Sequence, residues 1–208
     1  LLNVNIEDGQ VQGRGGVAFD ATFGTAMSEG ILQLMPYTAS DLAITLLRIG
    51  PTKVEKSTNS GAWTDITGTA LNGAVGDKPQ WADFRGTLYF TNEGKDVPRS
   101  WAGRGNTAAI ASGTAPKAKG IMSYYGFLFL LHIYDTPEAA FKPRRAQYSE
   151  VPDTDWALCS GNLLNFNETP GAVLAGIPYG DFAAIMKEDG VVSLRWTGGN
   201  VRFNQRLI

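Results

Sequence analysis

The sequence predicts an all-β chain of propeller-like repeats, each a three- to four-stranded antiparallel blade, and three observations carry that expectation. Helical periodicity is nearly absent, and short apolar runs are broken by Gly, Pro, Asn or Asp about every ten residues. Turn-forming residues are abundant, with 25 Gly and 10 Pro in 208 residues. A glycine-led strand motif then recurs along the chain at the spacing of a propeller blade.

Taken in order, strands are expected at Gly30–Tyr37, Leu42–Ile49, Lys53–Lys56, Thr87–Thr91, Ala118–Tyr124, Phe127–Tyr134, Arg145–Ser149, Val173–Ile177, Phe182–Lys187 and Val191–Trp196. One short helix is expected near Pro137–Phe141. Gly86, Gly126 and Gly180 each stand ahead of an apolar strand and behind another apolar or aromatic segment: Gln80–Phe84, Lys119–Tyr124 and Val173–Pro178. Each glycine-led strand runs into a polar turn: Thr91–Gly94, Asp135–Pro137 and Lys187–Gly190. Segments ending in tryptophan follow, and an earlier copy ends at Trp63.

The glycines lie 40 and 54 residues apart, and Trp63, Trp101, Trp156 and Trp196 follow one another at 38, 55 and 40. An insertion at residues 136–144 accounts for the long middle interval. Repeats of about 40–45 residues are the size of a propeller blade. The expectation is a single propeller-type domain over 1–208, with blades at about 30–71, 72–116, 117–165 and 166–208. A single small meander cannot bury both faces, so the blades must stack, with the four tryptophans filling the gaps between them. A β-sandwich with similar turn spacing is the competing arrangement.

Apolar residues make up 43% of the chain and charged residues 18%, below the usual quarter. A surface this poor in charge fits one largely covered by other subunits. The net charge of −2 supplies no basic field for nucleic acid or an anionic membrane. The longest apolar stretch, Tyr124 to Ile133, carries Gly126 and His132 and has half the length of a spanning helix, so no membrane span is expected. Cys159 is the single cysteine, which excludes an internal disulfide and a multi-cysteine zinc site. The chain opens on Leu1 and closes on Arg206-Leu207-Ile208, and is expected to be a piece of something longer.

Little in the sequence points to catalysis. His132, the only histidine, is expected on one strand face beside Leu130 and Tyr134 as a hydrogen-bonded packing residue. The carboxylate pairs Glu7-Asp8, Asp153/Asp155 and Glu188-Asp189 would suit glycoside hydrolysis if two faced each other across a cleft. All three lie in turn-like sequence, where acids hydrogen-bond local backbone. Gly13-Arg14-Gly15-Gly16 and Gly103-Arg104-Gly105 lack the flanking elements of a phosphate loop and read as flexible loops. No catalytic residue, cofactor or metal site is expected. Residues 60–65 and 149–156 are loosely similar to the Asp-box turns of sialidase-like propellers, without their ordered pattern.

Five stretches in order resemble the propeller proteins of bacteriophage tails, especially the nozzle or hub proteins of short-tailed phages. They are the opening Asn3–Gly16, Trp63–Gly68, Phe84–Asn92, Pro143–Trp156 and Lys187–Gly199, the fourth being the most specific. The resemblance implies a structural, non-enzymatic virion protein in the tail, oligomeric around the DNA exit channel. Its partners would be other tail proteins and copies of itself, with viral DNA passing without sequence-specific binding. Such a propeller needs more blades than the four visible here, so an incomplete propeller is expected in this chain. Arg14, Arg104, Phe141, Lys142, Arg144 and Arg145 are the expected subunit-contact residues. The alternative is a carbohydrate- or receptor-binding propeller at the tail tip, with Trp81, Trp101, Tyr124 and Tyr125 stacking on sugars. A glycosidase using Asp153 and Asp155 is a third reading.

Overall fold

A computed structural model describes residues 27–38, 44–57, 62–110, 115–150, 156–159, 161–199 and 202–208, and the backbone of 4–7 and 10–13. Strands β1 (Val4–Glu7) and β2 (Gln10–Gly13) pair as a hairpin. Four 4-stranded antiparallel sheets follow, each a meander in chain order. Blade 1 is β3 (Gln33–Thr38), β4 (Ile44–Ile49), β5 (Val54–Ser57) and β6 (Trp63–Asp65). Blade 2 is β7 (Gln80–Phe84), β8 (Thr87–Thr91), β9 (Arg99–Trp101) and β10 (Ala108–Ala109). Blade 3 is β11 (Ala118–Tyr124), β12 (Phe127–Asp135), β13 (Ala140–Tyr148) and β14 (Leu163–Asn165). Blade 4 is β15 (Val173–Tyr179), β16 (Phe182–Lys187), β17 (Gly190–Trp196) and β18 (Phe203–Leu207).

The repeated glycines are hairpin turns. Arg85 and Gly86 (φ 54° and 72°) close β7–β8, and Tyr125 and Gly126 (φ 51° and 78°) close β11–β12. Positive φ at both central residues is what a tight two-residue hairpin needs to match strand twist.

Strand alternation sends neighbouring side chains into two different cores. On β12, Phe127, Phe129 and Leu131 enter the core shared with blade 4, while Leu128 and Leu130 enter the core shared with blade 2. On β8, Leu88 and Phe90 pack towards blade 1 and Tyr89 towards blade 3. Each of the three hydrophobic cores therefore lies between two successive sheets. This is face-to-face stacking of propeller-like blades, and it settles the all-β expectation. The first strands of blades 2 to 4 sit side by side, with β11 against both β7 and β15. The face a blade turns to its successor is called forward below, and the opposite face backward.

Three local expectations are corrected. Residues near Pro137–Phe141 form no helix, because residues 136–139 close the β12–β13 hairpin, in which Tyr134 pairs with Phe141 and Asp135 with Ala140. Ala139 at φ 50° is incompatible with helix propagation. The stretch expected as an insertion thus lengthens a hairpin, and the strand expected from Arg145 starts at Ala140. His132 does not alternate regularly beside Leu130 and Tyr134. It sits at φ 52° in a β-bulge, where the register shifts between Leu131 and Ile133. The bulge returns Ile133 to the core of Leu128 and Leu130.

Candidate functional site

Two buried cations lie in the seams between blades. Arg99, 6% exposed, donates from its guanidinium to the carbonyls of Thr67 (2.8 Å) and Ala70 (3.3 Å) on the segment joining blades 1 and 2. Lys187, 5% exposed, donates to the carbonyls of Phe166 (2.7 Å) and Thr169 (2.6 Å) on the segment joining blades 3 and 4. A buried cation thus holds the incoming linker at both places, which offsets its desolvation through charge-assisted bonds. Burial still lowers the Arg99 pKa, with Asp96 opposing the change.

Acids hold the same linkers from the other side. Asp96 accepts from Asn72 N (2.8 Å), Asn72 Nδ2 (2.6 Å) and Asn92 Nδ2 (2.6 Å). Burial works against its carboxylate, yet those bonds keep its pKa below the ordinary value. Asp189 accepts from Thr169 Oγ1 and Gly171 N, each at 2.7 Å, and Glu188 accepts from Ala172 N at 3.1 Å. The Glu188-Asp189 pair is therefore a backbone clamp. Asp153 and Asp155 lie outside the described residues, as does Asp8.

A third recurring contact comes from an aromatic at or one residue before the end of each first strand. The Tyr37 hydroxyl donates to Gly86 O (2.8 Å), in the β7–β8 turn of the next blade. The Tyr124 hydroxyl donates to Asp181 O (2.7 Å), in the β15–β16 turn of the next blade. Phe84 has the same place in blade 2 and packs forward without a hydroxyl. Tyr179 has that place in blade 4 and is 70% exposed.

The expected residues fall into separate groups. Trp101 (2% exposed) lies in the blade 1–2 core, and its Nε1 donates to Gly105 O at 3.0 Å. Trp156 (1% exposed) stands on a 3-10 turn, Trp156–Cys159, in the blade 2–3 core. Trp196 packs half-buried against the blade 3–4 core, stacked on Tyr125 at 5.2 Å. Trp63 instead lies half-buried on the backward face of blade 1, under the Arg48 guanidinium at 4.2 Å.

Of the expected contact residues, Arg14 lies outside the described residues and Arg104 is exposed on the 103–105 bend. Phe141 packs within the chain, edge-on to Tyr134 (5.2 Å) and His132 (5.8 Å), and against Gly94. Arg145 pairs with Asp135 (2.6 Å) and Asn165 (3.0 Å), and Lys142 pairs with Glu138. Lys142, Arg144 and Arg145 line one shallow polar cleft with Pro143, Asn165 and Asn167. A second cleft of about 320 Å³ holds the Asp135–Arg145 pair between Trp156, Pro137 and Tyr134. Neither contains a nucleophile with a positioned base. Among the described residues no group of three His, Cys, Asp or Glu is placed to hold a metal ion. No helix among them is long and apolar enough to cross a membrane.

Among the described residues, what the architecture leaves uncovered are the two outermost blade faces. The forward face of blade 4 exposes Ile177 (54%), Tyr179 (70%) and Met186 (39%) beside Arg195 and Arg206. A cavity of about 410 Å³ there is lined by Phe182, Ser193, Arg195, Arg206, Leu207 and Ile208. The backward face of blade 1 exposes Leu34 (48%), Pro36 and Ile44 (60%), with Asp65 at its edge. Sequence reasoning missed Arg99, Lys187 and the exposed faces. The aromatics at Phe84, Tyr124 and Tyr179, one or two residues before the recurring glycines, were the available signal for the forward-facing column.

No protein-family model and no curated protein matches the chain. Among solved structures it is similar to apo AztD from Citrobacter koseri, at 16% identity and TM-score 0.48, covering 84% of this chain and 48% of that one. It is also similar to a chain of a nidogen/laminin complex, at 12% identity and TM-score 0.36, covering 92% of this chain and 84% of that one. The chain spans about half the length of the AztD chain.

Proposed function

We propose that this chain is a structural, non-enzymatic component of a tailed-bacteriophage virion, a nozzle or hub element assembled around the DNA exit channel. Its stacked blades act as a rigid support, and its outer faces meet neighbouring subunits. One observation carries the assembly role: the buried cations and turn acids tie blade to blade, while the apolar surface left exposed concentrates on the two end blades. Large exposed apolar patches mark protein contacts more often than chemistry. The virion setting rests on the five ordered stretches that resemble phage tail propellers.

The sugar-binding alternative required outward-facing rings at Trp81, Trp101, Tyr124 and Tyr125. Trp101 and Tyr124 are buried, Trp81 packs against the blade 1–2 core, and only Tyr125 of the four is open to solvent. Peptide mass spectrometry of density-purified particles from the source culture tests the proposal. Abundant peptides at a fixed ratio to the major capsid protein are expected. Absence from intact particles, with the protein found free, would overturn it.

A further inference from the structure

The seam between blades 2 and 3 joins sheets of unequal reach. Strands β12 and β13 have nine residues each, whereas β9 and β10 of blade 2 have three and two. Ala82, Phe84 and Tyr89 of blade 2 close over Leu128, Leu130 and Ile133 of blade 3 and form the seam core. Beside that core lies the cleft of about 320 Å³ that holds the Asp135–Arg145 pair. Among the described residues, no strand of blade 2 contributes to its lining. The cleft belongs to an internal seam, so it does not depend on what meets the end blades.

We infer that this cleft binds a sugar unit of a neutral saccharide. The inference goes beyond the assembly role and rests neither on it nor on the virion setting. None of Trp81, Trp101, Tyr124 and Tyr125, the rings weighed above for sugar binding, lines this cleft.

The polar groups of the cleft are fixed by their own partners. Gln147, 7% exposed, donates from Nε2 to Cys159 O at 3.0 Å. That bond sets the amide orientation and leaves Oε1 as an acceptor with no bond among the described residues. Arg145 is held at Nη1 by Asp135 (2.6 Å) and at Nε by Asn165 (3.0 Å), which leaves the Nη2 donors for a ligand. Asp135 Oδ1 receives only the long bond from Glu138 N, at 3.4 Å. Groups held in place before a ligand arrives lower the ordering cost of binding.

The same groups select the ligand. The lining carries one acid and one base, paired with each other, beside a neutral amide. An anionic ligand would meet Asp135, and a cationic one Arg145. Adjacent hydroxyls suit the pair, because each can donate and accept. One donates to Asp135 while its neighbour accepts from Arg145, and a third can donate to Gln147 Oε1. Tyr134, Trp156, Pro116, Pro137 and Leu163 supply apolar walls for the C–H faces of a sugar ring. A peptide main chain also carries donors and acceptors, but it is recognised along a strand edge. Here the polar groups are side chains converging on one cleft, at the small end of the roughly 300–1,000 Å³ of ligand sites.

A glycan array carrying neutral and acidic oligosaccharides, probed with the labelled protein, tests the inference, and calorimetry with the best binder follows. The expected result is binding to neutral saccharides that changes little with salt. Thr136→Trp, at an exposed position on the cleft rim, should block the cleft and abolish binding. Arg145→Met should weaken it by about tenfold or more, through the lost charged donors. Tyr125→Asn tolerates the positive φ and removes an exposed ring outside the cleft, so it should bind as wild type does. Circular dichroism should match wild type in all three. An array without a binder, binding of acidic saccharides alone, binding retained in full by Thr136→Trp or Arg145→Met, or binding lost in Tyr125→Asn would each overturn the inference. Particle mass spectrometry bears only on the virion setting, so the two readings fall separately.

Discussion

The forward faces of blades 3 and 4 are built on one register and meet different surroundings. Counting from the hairpin turn, blade 3 presents Tyr124, Phe127, Phe129 and Leu131, and blade 4 presents Tyr179, Phe182, Ala184 and Met186 at the same places. The blade 3 set is buried, with Phe129 at 0% and Leu131 at 1% exposure, and closes over Ala183, Ile185 and Val192 of blade 4. The blade 4 set keeps the two ring-bearing positions near the turn, shrinks Phe129 to Ala184, and leaves Met186 39% exposed. A blade face is thus written twice in this chain, once as a core and once as a surface. Side-chain identity alone separates them less than what lies opposite.

The largest effect that tests this contrast comes from matched truncations at the fifth residue after each turn. Leu131→Ala removes a fully buried side chain and should cost about 2–5 kcal/mol, cavity included. Met186→Ala, on the open face, should stay within about 0.5 kcal/mol in dilute monomer. Urea unfolding of both variants measures the difference. Equal losses would mean that the blade 4 face is already covered in the isolated chain.

The sequence made the inner strands legible and the outer ones poorly so, for a physical reason. β8, β11 and β16 match expectation to the residue because their apolar runs are bounded by turns and feed a core, two cores for β8 and β11 and one for β16. β6, β9, β10 and β14 were not expected as strands: they have two or three residues, too few for an alternation to be detected, and β6, β10 and β14 expose or half-bury all of theirs. The blade-filling role of Trp101 and Trp156 was readable from spacing, whereas Trp63 keeps the spacing but lies on an end face. Spacing does not even place the four alike, since Trp63 opens the fourth strand of its blade, Trp101 and Trp196 end the third strand of theirs, and Trp156 stands on a 3-10 turn. Arg99 and Lys187 were invisible for a different reason, since their partners are backbone carbonyls of a linker, which no side-chain motif encodes.

A smaller effect contrasts seam and surface cations. Lys187→Met keeps the stem but leaves the Phe166 and Thr169 carbonyls without their charged donor, and should cost about 1.5–3 kcal/mol. Lys142→Met removes a pair with Glu138 that is half-open to water, worth about 0–1 kcal/mol. Thermal unfolding of the two variants ranks them. A Lys142 variant as damaged as the Lys187 variant would contradict the seam account.

Smaller again is the tyrosine pair. Tyr124→Phe loses both hydroxyl bonds to the next blade, the one donated to Asp181 O and the one accepted from Trp196 N, and should cost about 1–2 kcal/mol, while Tyr179→Phe should leave the monomer unchanged. Denaturant midpoints of the monomers decide this. A stability loss in the Tyr179 variant would show that its hydroxyl already has a partner within the chain.

The smallest expected effect is a pH dependence at the bulge that separates the two halves of β12. His132 is half-buried, with Nδ1 3.3 Å from Val173 O, which it reaches as the Nδ1–H tautomer. Burial lowers its pKa below the ordinary 6.5; Lys119 adds to this, while the Val173 carbonyl, Glu188 and Glu93 act in the opposite direction. With the folded pKa lowered, the unfolded chain binds the proton more readily, so stability is full above the ordinary value and falls as pH drops below it. Asp65 and Glu150 also have lowered pKa values, through Thr67 and Arg202 respectively, but their contributions are lost only further down, below the ordinary carboxylate range. Among the described residues whose pKa is shifted, only the one histidine gives a slope between about pH 6.5 and 5. His132→Asn, which tolerates a positive φ, should flatten the denaturant midpoint across that window while keeping the slope below pH 4. A wild-type slope retained by that variant would assign the mid-pH titration to another group and remove the bulge from the account of the seam.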